Sequence, residues 1–297
     1  MKRVASMVTR HVSFLVFCVA GLALFFGPVV QLLRMSLQSE LYTYIPAIPV
    51  ISLFILILRR KRIFAEPSWE WRVGFALLVL GVALLLSANR ITGLNQNDYL
   101  SLVMSGAVLW IIGGFVLVYG SKALKEAMFP LLFLVFAIPV PKFILDPFTE
   151  LLQIVSANTA YFLFKLTGVP LHREGFVFAL PGITIEVAEQ CSGIRSSIAL
   201  IITSVFAGYL FLSRGWSRVI LALSFFPITV LKNAMRIVTL SLLASYVDTR
   251  FITGSWLHSS GGIPFFAVGL ALMAPVLWAL MKAEKRKKTG DSSQKTE

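Results

Sequence analysis

Three separated positions in the C-terminal half of the chain carry side chains that together could catalyse acyl transfer. Cys191 precedes a long apolar run, so a helix should begin just after it. The unpaired N–H groups and the dipole at a helix start favour a thiolate nucleophile. Arg236 lies inside a later apolar run, and His258 lies in a segment rich in Ser and Gly. A thiolate, a histidine acid and base, and a cation for the oxyanion are a complete set for that reaction.

Each of these residues also has an ordinary structural explanation. A lone cysteine is more often a small buried hydrophobe than a nucleophile, and we predict that inert role for Cys18. A histidine beside Ser and Gly is often a plain loop residue. Arg236 could reach the membrane interface, or it could form a structural ion pair with one of three carboxylates, Glu186, Glu189 or Asp248.

Other polar side chains accompany Arg236 within the same apolar run. Thr229, Asn233 and Arg236 are spaced four and three residues apart, which places them on one face of a helix. Lys232 lies one position off that face, where it could mark a helix break after Pro227. Because ionisable groups inside a membrane are costly, we interpret this face as part of a functional site.

The composition indicates that the protein resides in a bilayer. Of the 297 residues, 57% are hydrophobic and 14% are charged, and the mean hydropathy is +0.83, which argues strongly against a water-soluble globule. A net charge of +13 would suggest nucleic acid in a soluble protein. In a membrane protein the cations instead set the orientation, so no nucleic-acid partner is expected. Two distant cysteines exclude a disulfide framework.

Apolar runs of the length that crosses a bilayer predict an all-α polytopic membrane protein with about eight transmembrane helices. The runs are Val12 to Leu33, Leu41 to Leu58, Val73 to Ala88, Tyr99 to Tyr119, Met128 to Leu145, Ser192 to Leu212, Val219 to Tyr246 and Ile263 to Met281. The first run is too long for a signal peptide and is interpreted as a retained helix.

The positions of the cations predict that both termini are cytoplasmic. With the N-terminus inside, 18 of the 27 Lys and Arg residues fall in cytoplasmic segments, and six fall on the opposite face. The other three lie inside predicted helices: Arg195, Lys232 and Arg236. This arrangement places Cys191, Arg236 and His258 at the same, extracytoplasmic surface.

The segment Asp146 to Lys165 is amphipathic and could either lie at the outer interface or insert into the bundle. A full crossing would make nine helices and place the basic tail outside, so we reject it on charge grounds. The next segment changes to short alternating runs. Val177 to Leu180 and Ile183 to Val187 flank Pro181-Gly182, which suits a type II turn. We therefore predict a small extracytoplasmic hairpin before Cys191.

The three motif elements resemble the signature of the exosortase/archaeosortase family of membrane cysteine transpeptidases. The elements are Cys191-Ser192-Gly193-Ile194-Arg195-Ser196, then Asn233-x-x-Arg236, then His258 followed by Gly261 and Gly262. Histidine at the third element is similar to bacterial members, whereas archaeal relatives can have Arg. The resemblance covers about residues 183–281, so we expect a single integral-membrane domain, 1–281, with this motif-bearing core and a basic cytoplasmic tail, 282–297.

The resemblance implies a sorting enzyme in the cell (inner) membrane. Its substrates would be secreted proteins that end in a Pro-Glu-Pro-like motif, a transmembrane helix and a basic cluster. Cys191 would attack a peptide carbonyl near the motif and form a thioester, with His258 as general base and acid. Arg236 would stabilise the oxyanion or hold the thiolate, and both roles stay open. Arg195 is a second cation that could assist or form a structural ion pair.

Two other classes of protein remain open from the residues. A transporter could bind an anionic substrate through Lys232, Asn233 and Arg236 without cysteine chemistry. An assembly factor for exopolysaccharide export would need none of the candidate residues for chemistry. No metal-ligand spacing occurs in the sequence, so neither a metal nor a cofactor is expected, and membrane lipid is the remaining partner.

Overall fold

The computed structural model describes residues 2–187, 192–253 and 262–293, and this described part is about 81% helical. Within the described residues, seven helical segments are long and apolar enough to cross a membrane. They are Met7–Leu24, Glu40–Ile63, Trp71–Arg90, Gln96–Ala137, Ile194–Phe211, Gly215–Tyr246 and Pro264–Arg286. Helices satisfy their own backbone hydrogen bonds, which a hydrocarbon solvent requires. The predicted all-α polytopic membrane fold is confirmed.

Large apolar side chains are exposed along the outer helices. On the first helix Leu15 is 62% exposed and Val19 is 59% exposed, and on the third helix Val50 is 67% exposed. Such a continuous apolar surface would be a liability in water. It fits a lipid surround, where these side chains meet acyl chains.

The chain forms two compact units, and unit 1 comprises Met1–Leu145. Its helices are α1 (Lys2–Leu24), α2 (Phe26–Gln38), α3 (Ala47–Ile63), α4 (Trp71–Arg90) and α5 (Gln96–Phe133), with short 3-10 turns at Glu40–Tyr42 and Leu134–Ala137. Side chains of α5 form most of the core of this unit. Leu100, Val103 and Phe115 are almost fully buried there.

Helix α5 reverses direction at Gly120, where the backbone leaves the helical region with φ 84° and ψ 174°. The hydroxyl of Ser101 donates to the carbonyl of Pro139 at 2.6 Å, and the amide of Asn97 donates to the carbonyl of Val140 at 2.6 Å. The segment after Gly120 therefore returns antiparallel to the segment before it. Two predicted spans, Tyr99 to Tyr119 and Met128 to Leu145, correspond to these two halves, although the second half turns irregular after Ala137. Counting the halves separately gives the expected eight apolar helical segments within the described residues.

Unit 2 comprises Asp146–Glu297. Helix α6 (Lys142–Thr167) leads into it, and its other elements are β1 (His172–Glu174), β2 (Val177–Leu180), β3 (Ile183–Glu186), α7 (Ile194–Phe211), α8 (Gly215–Leu223), α9 (Phe225–Tyr246), α10 (Arg250–Thr253) and α11 (Gly262–Ser293). The last helix therefore continues past Met281, into the segment predicted as a basic tail. One core cluster joins α6, the strands and α9, around Phe164 and Phe178.

The predicted hairpin is present. Strands β2 and β3 pair antiparallel with Leu180 opposite Ile183, and Gly182 has a φ of 80°, as the third position of a type II turn requires. The sheet has a third strand, β1, which was not predicted because a run of three residues is too short to show the alternation of a strand.

The predicted seventh span, Val219 to Tyr246, is interrupted at a different place from the one expected. The break lies at Ser224, between α8 and α9, and α9 runs through Lys232 without interruption. Pro227 lies in the first turn of α9, where its missing N–H breaks no intrahelical hydrogen bond. The expectation of a break after Pro227 was therefore wrong.

The amphipathic segment Asp146 to Lys165 is helical throughout, as part of α6. It buries a stripe of residues that includes Leu152, Ser156 and Phe164. Its depth in the bilayer stays a prediction.

Candidate active site

Of the candidate catalytic residues, Arg236 lies in a described helix, whereas Cys191 and His258 lie outside the described residues. The site is therefore built from the residues that flank them. Ser192, directly after the cysteine, is fully buried, and its hydroxyl accepts from the N–H of Ile194 at 3.4 Å. The chain therefore lies in the protein interior at Ser192, just before α7 begins.

The first and second motif elements meet at Gly193. This residue precedes α7 in the left-handed conformation, with φ 79° and ψ 13°. A Cβ placed there would lie 2.9 Å from Oδ1 and 3.0 Å from Cγ of Asn233. Only glycine allows both the backbone conformation and the close approach of the buried Asn233 side chain. The glycine of the first motif is therefore required by the asparagine of the second.

We expect Gly193→Ala to lower processing of a substrate at least about tenfold. The left-handed conformation costs an Ala residue about 1–2 kcal/mol, the Cβ would meet Asn233, and tenfold corresponds to about 1.4 kcal/mol. Gly215→Ala is the matched control, because a Cβ there meets nothing within 4 Å. Rates and thermal midpoints of both variants give the comparison. A wild-type rate for Gly193→Ala would show that this packing is unimportant.

Lys232 of α9 is a buried cation that contacts the start of α7. The side chain is 2% exposed, and its ammonium group donates to the hydroxyl of Ser196. That hydroxyl donates in turn to the carbonyl of Gly193 at 3.0 Å. Gly269 of α11 leaves room for the stem, since a Cβ there would lie 3.3 Å from Cδ of Lys232. Helical spacing places Lys232 off the face shared by Thr229, Asn233 and Arg236. In the structure its ammonium group contacts the first turn of α7.

We expect Lys232→Met to lower the processing rate about tenfold or more, because a hydrogen bond to a charged group contributes about 1.5–3 kcal/mol. Its thermal midpoint should not fall, since removing a desolvated charge is often neutral or stabilising. Ser196→Ala should have the same effect on the rate, and the double variant should be no slower than either single variant. Lys165→Met, which removes an exposed lysine, is the control. Additive losses would contradict a shared path from Lys232 to Gly193.

Arg236 is partly buried on α9, about one turn beyond Asn233. The guanidinium forms no ion pair with Glu186 or Asp248 among the described residues, where Asp248 pairs instead with Arg250 at 3.7 Å. Two of the three structural partners considered from the sequence are therefore excluded, and Glu189 lies outside the described residues. Arg195 is exposed on the first turn of α7. Thr229 is fully buried two turns before Arg236.

The ends of three helices come together around this site. Leu200 of α7 lies against Gly269 of α11, and farther along, Ser213 donates to Glu284 of α11, so these two helices run parallel. Helix α9 runs antiparallel to them, because Asn233 meets the first residue before α7 whereas Ile228 packs deeper, with Leu200. The starts of α7 and α11 and the end of α9 therefore lie at one end of unit 2.

The sheet and α6 hold the backbone at Val187, four residues before Cys191 in the sequence. The buried amide of Gln153 donates to the carbonyl of Val187 at 2.6 Å, and the N–H of Val187 donates to the carbonyl of Phe176 at 3.0 Å. At the other end of the hairpin, Ser245 of α9 donates to the carbonyl of Pro181 at 2.6 Å. Gln153 was not a candidate from the sequence. The feature that marks it is a polar amide side chain on the buried side of an amphipathic helix, where it needs a hydrogen-bond partner.

This arrangement suits a nucleophile at the start of α7. The first turn of α7 offers unpaired N–H groups and the positive end of its dipole. Two cationic side chains, Lys232 and Arg236, lie on the adjacent helix. Positive charge in a site with little water stabilises developing negative charge far more than it would in solution.

Comparison with known proteins identifies the family of the chain. No curated protein and no solved structure matches the chain. The family model described as transmembrane exosortase (Exosortase_EpsH) matches residues 36–275, which is most of the chain. The matched range includes all three motif elements and helices α7 to α10. The chain belongs to the transmembrane exosortase family, a family of sorting-related membrane proteins.

Proposed function

We propose that the protein is a cysteine transpeptidase that cleaves the C-terminal sorting signal of secreted proteins. The observation that carries the proposal is the contact between Gly193 and Asn233, which joins the Cys191 motif to the helix of Arg236. Family membership supports the same reading. The substrates would end in a Pro-Glu-Pro-like motif followed by a transmembrane helix and a basic cluster.

The proposed reaction has two halves that share the site. In the first, the Cys191 thiolate attacks a peptide carbonyl, and the negative charge of the tetrahedral intermediate moves onto the carbonyl oxygen. His258 gives a proton to the departing amine, which leaves with the C-terminal helix and yields a thioester. In the second half, an acceptor nucleophile or water loses its proton to His258 and attacks the thioester. The cysteine thiolate is regenerated. Arg236 stabilises the oxyanion or the thiolate.

The proposal places the active site on the extracytoplasmic face of the inner membrane, with both termini in the cytoplasm. Support comes from the cations of unit 2. Arg214 and Arg218 lie beside the basic C-terminal part of α11, at the end of unit 2 opposite the start of α7. Cations concentrate on the cytoplasmic side of a membrane protein. A reporter enzyme that is active only outside the cytoplasm should be active when it is fused after Tyr246. The same reporter should be inactive when it is fused after Met281. A cytoplasmic signal after Tyr246 would place His258 on the wrong side for a secreted substrate.

Co-expression with a reporter protein that carries the tripartite C-terminal signal tests the activity. We expect the reporter to lose the mass of its C-terminal helix, as seen on gels and by mass spectrometry of its new C-terminus. A reporter that lacks the Pro-Glu-Pro-like motif but keeps the helix and basic cluster is the matched control, and it should remain intact. Equal processing of both reporters, or of neither, would contradict the proposed function. The transporter and assembly-factor hypotheses both predict an intact reporter.

A further inference from the structure

A cleft of about 800 Å³ opens at one end of unit 1, whereas the residues proposed for catalysis belong to unit 2. Its walls come from the first turns of α1, from the connection between α3 and α4, and from α5 just after its reversal at Gly120. The charged and polar side chains that line it are Arg10, His11, Glu66, Ser68 and Lys122. Nothing in the proposed sorting reaction uses them.

Arg10 is the central feature of the cleft. It is only 8% exposed, and its guanidinium lies 4.9 Å from the ring centre of Trp69. One Nη donates to the carbonyl of Val118, which the reversal at Gly120 deprives of its usual helical partner. The buried Nε has no hydrogen-bond partner among the described residues. Burying a guanidinium with an unused donor raises the free energy of the folded protein unless an anion pairs with it.

The carboxylates nearest the cleft are already engaged. Glu66 accepts from the ammonium of Lys122 at 2.9 Å, and both side chains are mostly exposed. Glu70 accepts from the N–H of Ser121 at 2.7 Å. Within the described part of the chain, Arg10 forms no ion pair with either of them. The sequence before Arg10 contains no acidic residue. Since no carboxylate among the described residues pairs with Arg10, an anion bound from outside the chain would supply the acceptor that its guanidinium lacks.

The surroundings of the cleft indicate a membrane interface. Trp69 and Trp71 are 54% and 68% exposed beside it, and exposed tryptophans concentrate at the level of lipid headgroups. The C-terminal part of α3 adds a run of cations at the same end of unit 1: Arg59, Arg60, Lys61 and Arg62. Anionic lipids accumulate beside such basic clusters. A phosphate diester at the level of the lipid headgroups would lie beside Arg10 and these cations.

We propose that this cleft binds the phosphate group of an anionic phospholipid, with the Arg10 guanidinium as its main ligand. Arg10 matches phosphate because its planar donors can form two parallel hydrogen bonds. His11 is held beside it by a 2.7 Å hydrogen bond between Nδ1 and the hydroxyl of Tyr119, and by an edge contact with Phe64. The site is independent of the sorting reaction.

Native mass spectrometry of the detergent-purified chain tests this proposal. Dioleoylphosphatidylglycerol should bind at least tenfold more tightly than dioleoylphosphatidylcholine, and inorganic phosphate at millimolar concentration should not displace it. Arg10→Gln should weaken phosphatidylglycerol binding at least tenfold. Arg90→Gln, which removes an exposed cation from the other end of α4, should leave binding unchanged.

Three results would overturn the proposal. They are equal binding of the two lipids, unchanged binding by Arg10→Gln, and displacement of the lipid by free phosphate, which would assign the cleft to a soluble anion. Arg10→Lys serves where Arg10→Gln fails to fold, because it keeps the charge but loses the fork of donors. It should bind phosphatidylglycerol severalfold more weakly than wild type, and wild-type binding by a folded Arg10→Lys would count against Arg10 as the ligand.

Discussion

Replacing Cys191 with Ala should reduce processing of a signal-bearing reporter to background, a loss of at least about a thousandfold, as expected for removal of a catalytic nucleophile. Cys191→Ser should also lose most of the rate, because a serine hydroxyl stays protonated at a helix start and is a much weaker nucleophile than a thiolate. The measurement is the rate at which the reporter loses its C-terminal helix, normalised to the amount of folded enzyme in the membrane.

Cys18→Ala is the matched control for the nucleophile. Cys18 lies on α1, partly buried among apolar side chains, and belongs to unit 1. We expect wild-type processing by this variant, so the two cysteines of the chain should differ completely in their effect. Substantial processing by Cys191→Ala, or loss of processing by Cys18→Ala, would contradict the assignment of the nucleophile.

Replacing Arg236 with Ala should lower the processing rate by about a hundredfold to a thousandfold, the range found when one stabilising donor of an oxyanion site is removed. Arg236→Lys should recover part of that loss, because it keeps the charge but not the planar donors. Arg250→Ala is the control, since the Arg250 side chain is 85% exposed. If the processing rate of Arg236→Ala is within severalfold of the wild-type rate, Arg236 has only a structural role.

The Arg236→Ala variant can also separate the two roles proposed for Arg236, which are to hold the thiolate and to stabilise the oxyanion. In a Cys18→Ala background Cys191 is the single thiol, so its alkylation by iodoacetamide can be followed as pH is varied. If Arg236 holds the thiolate, Arg236→Ala should move the midpoint of alkylation to higher pH. If Arg236 acts on the oxyanion alone, the midpoint should stay and only the processing rate should fall.

The sequence predicted those features that depend on local physical rules. The apolar runs predicted the membrane helices, because a helix is the form of backbone that hydrocarbon tolerates. Pro181-Gly182 predicted the turn of the hairpin, because glycine readily accepts the positive φ of its third position. The face shared by Asn233 and Arg236 followed from helical spacing alone.

What the sequence did not predict depends on contacts between distant segments. The reversal of α5 at Gly120 is fixed by pairs such as Ser101 with Pro139, which no local pattern announces. Helical spacing assigns Lys232 to a different face of α9 from Arg236. Its importance follows from Ser196, which lies in another helix. Gly193 could be recognised as necessary only once Asn233 was seen against it.

A covalent intermediate on Cys191 is the most direct test of the central claim. Single-thiol enzyme from the Cys18→Ala background is mixed with a signal-bearing peptide, quenched in acid and digested, and its cysteine peptide is analysed by mass spectrometry. The account predicts an adduct on Cys191 with the mass of the N-terminal cleavage fragment, which neutral hydroxylamine removes as it does other thioesters. Processing that continues with no such adduct on Cys191, or with the adduct on another residue, would contradict it.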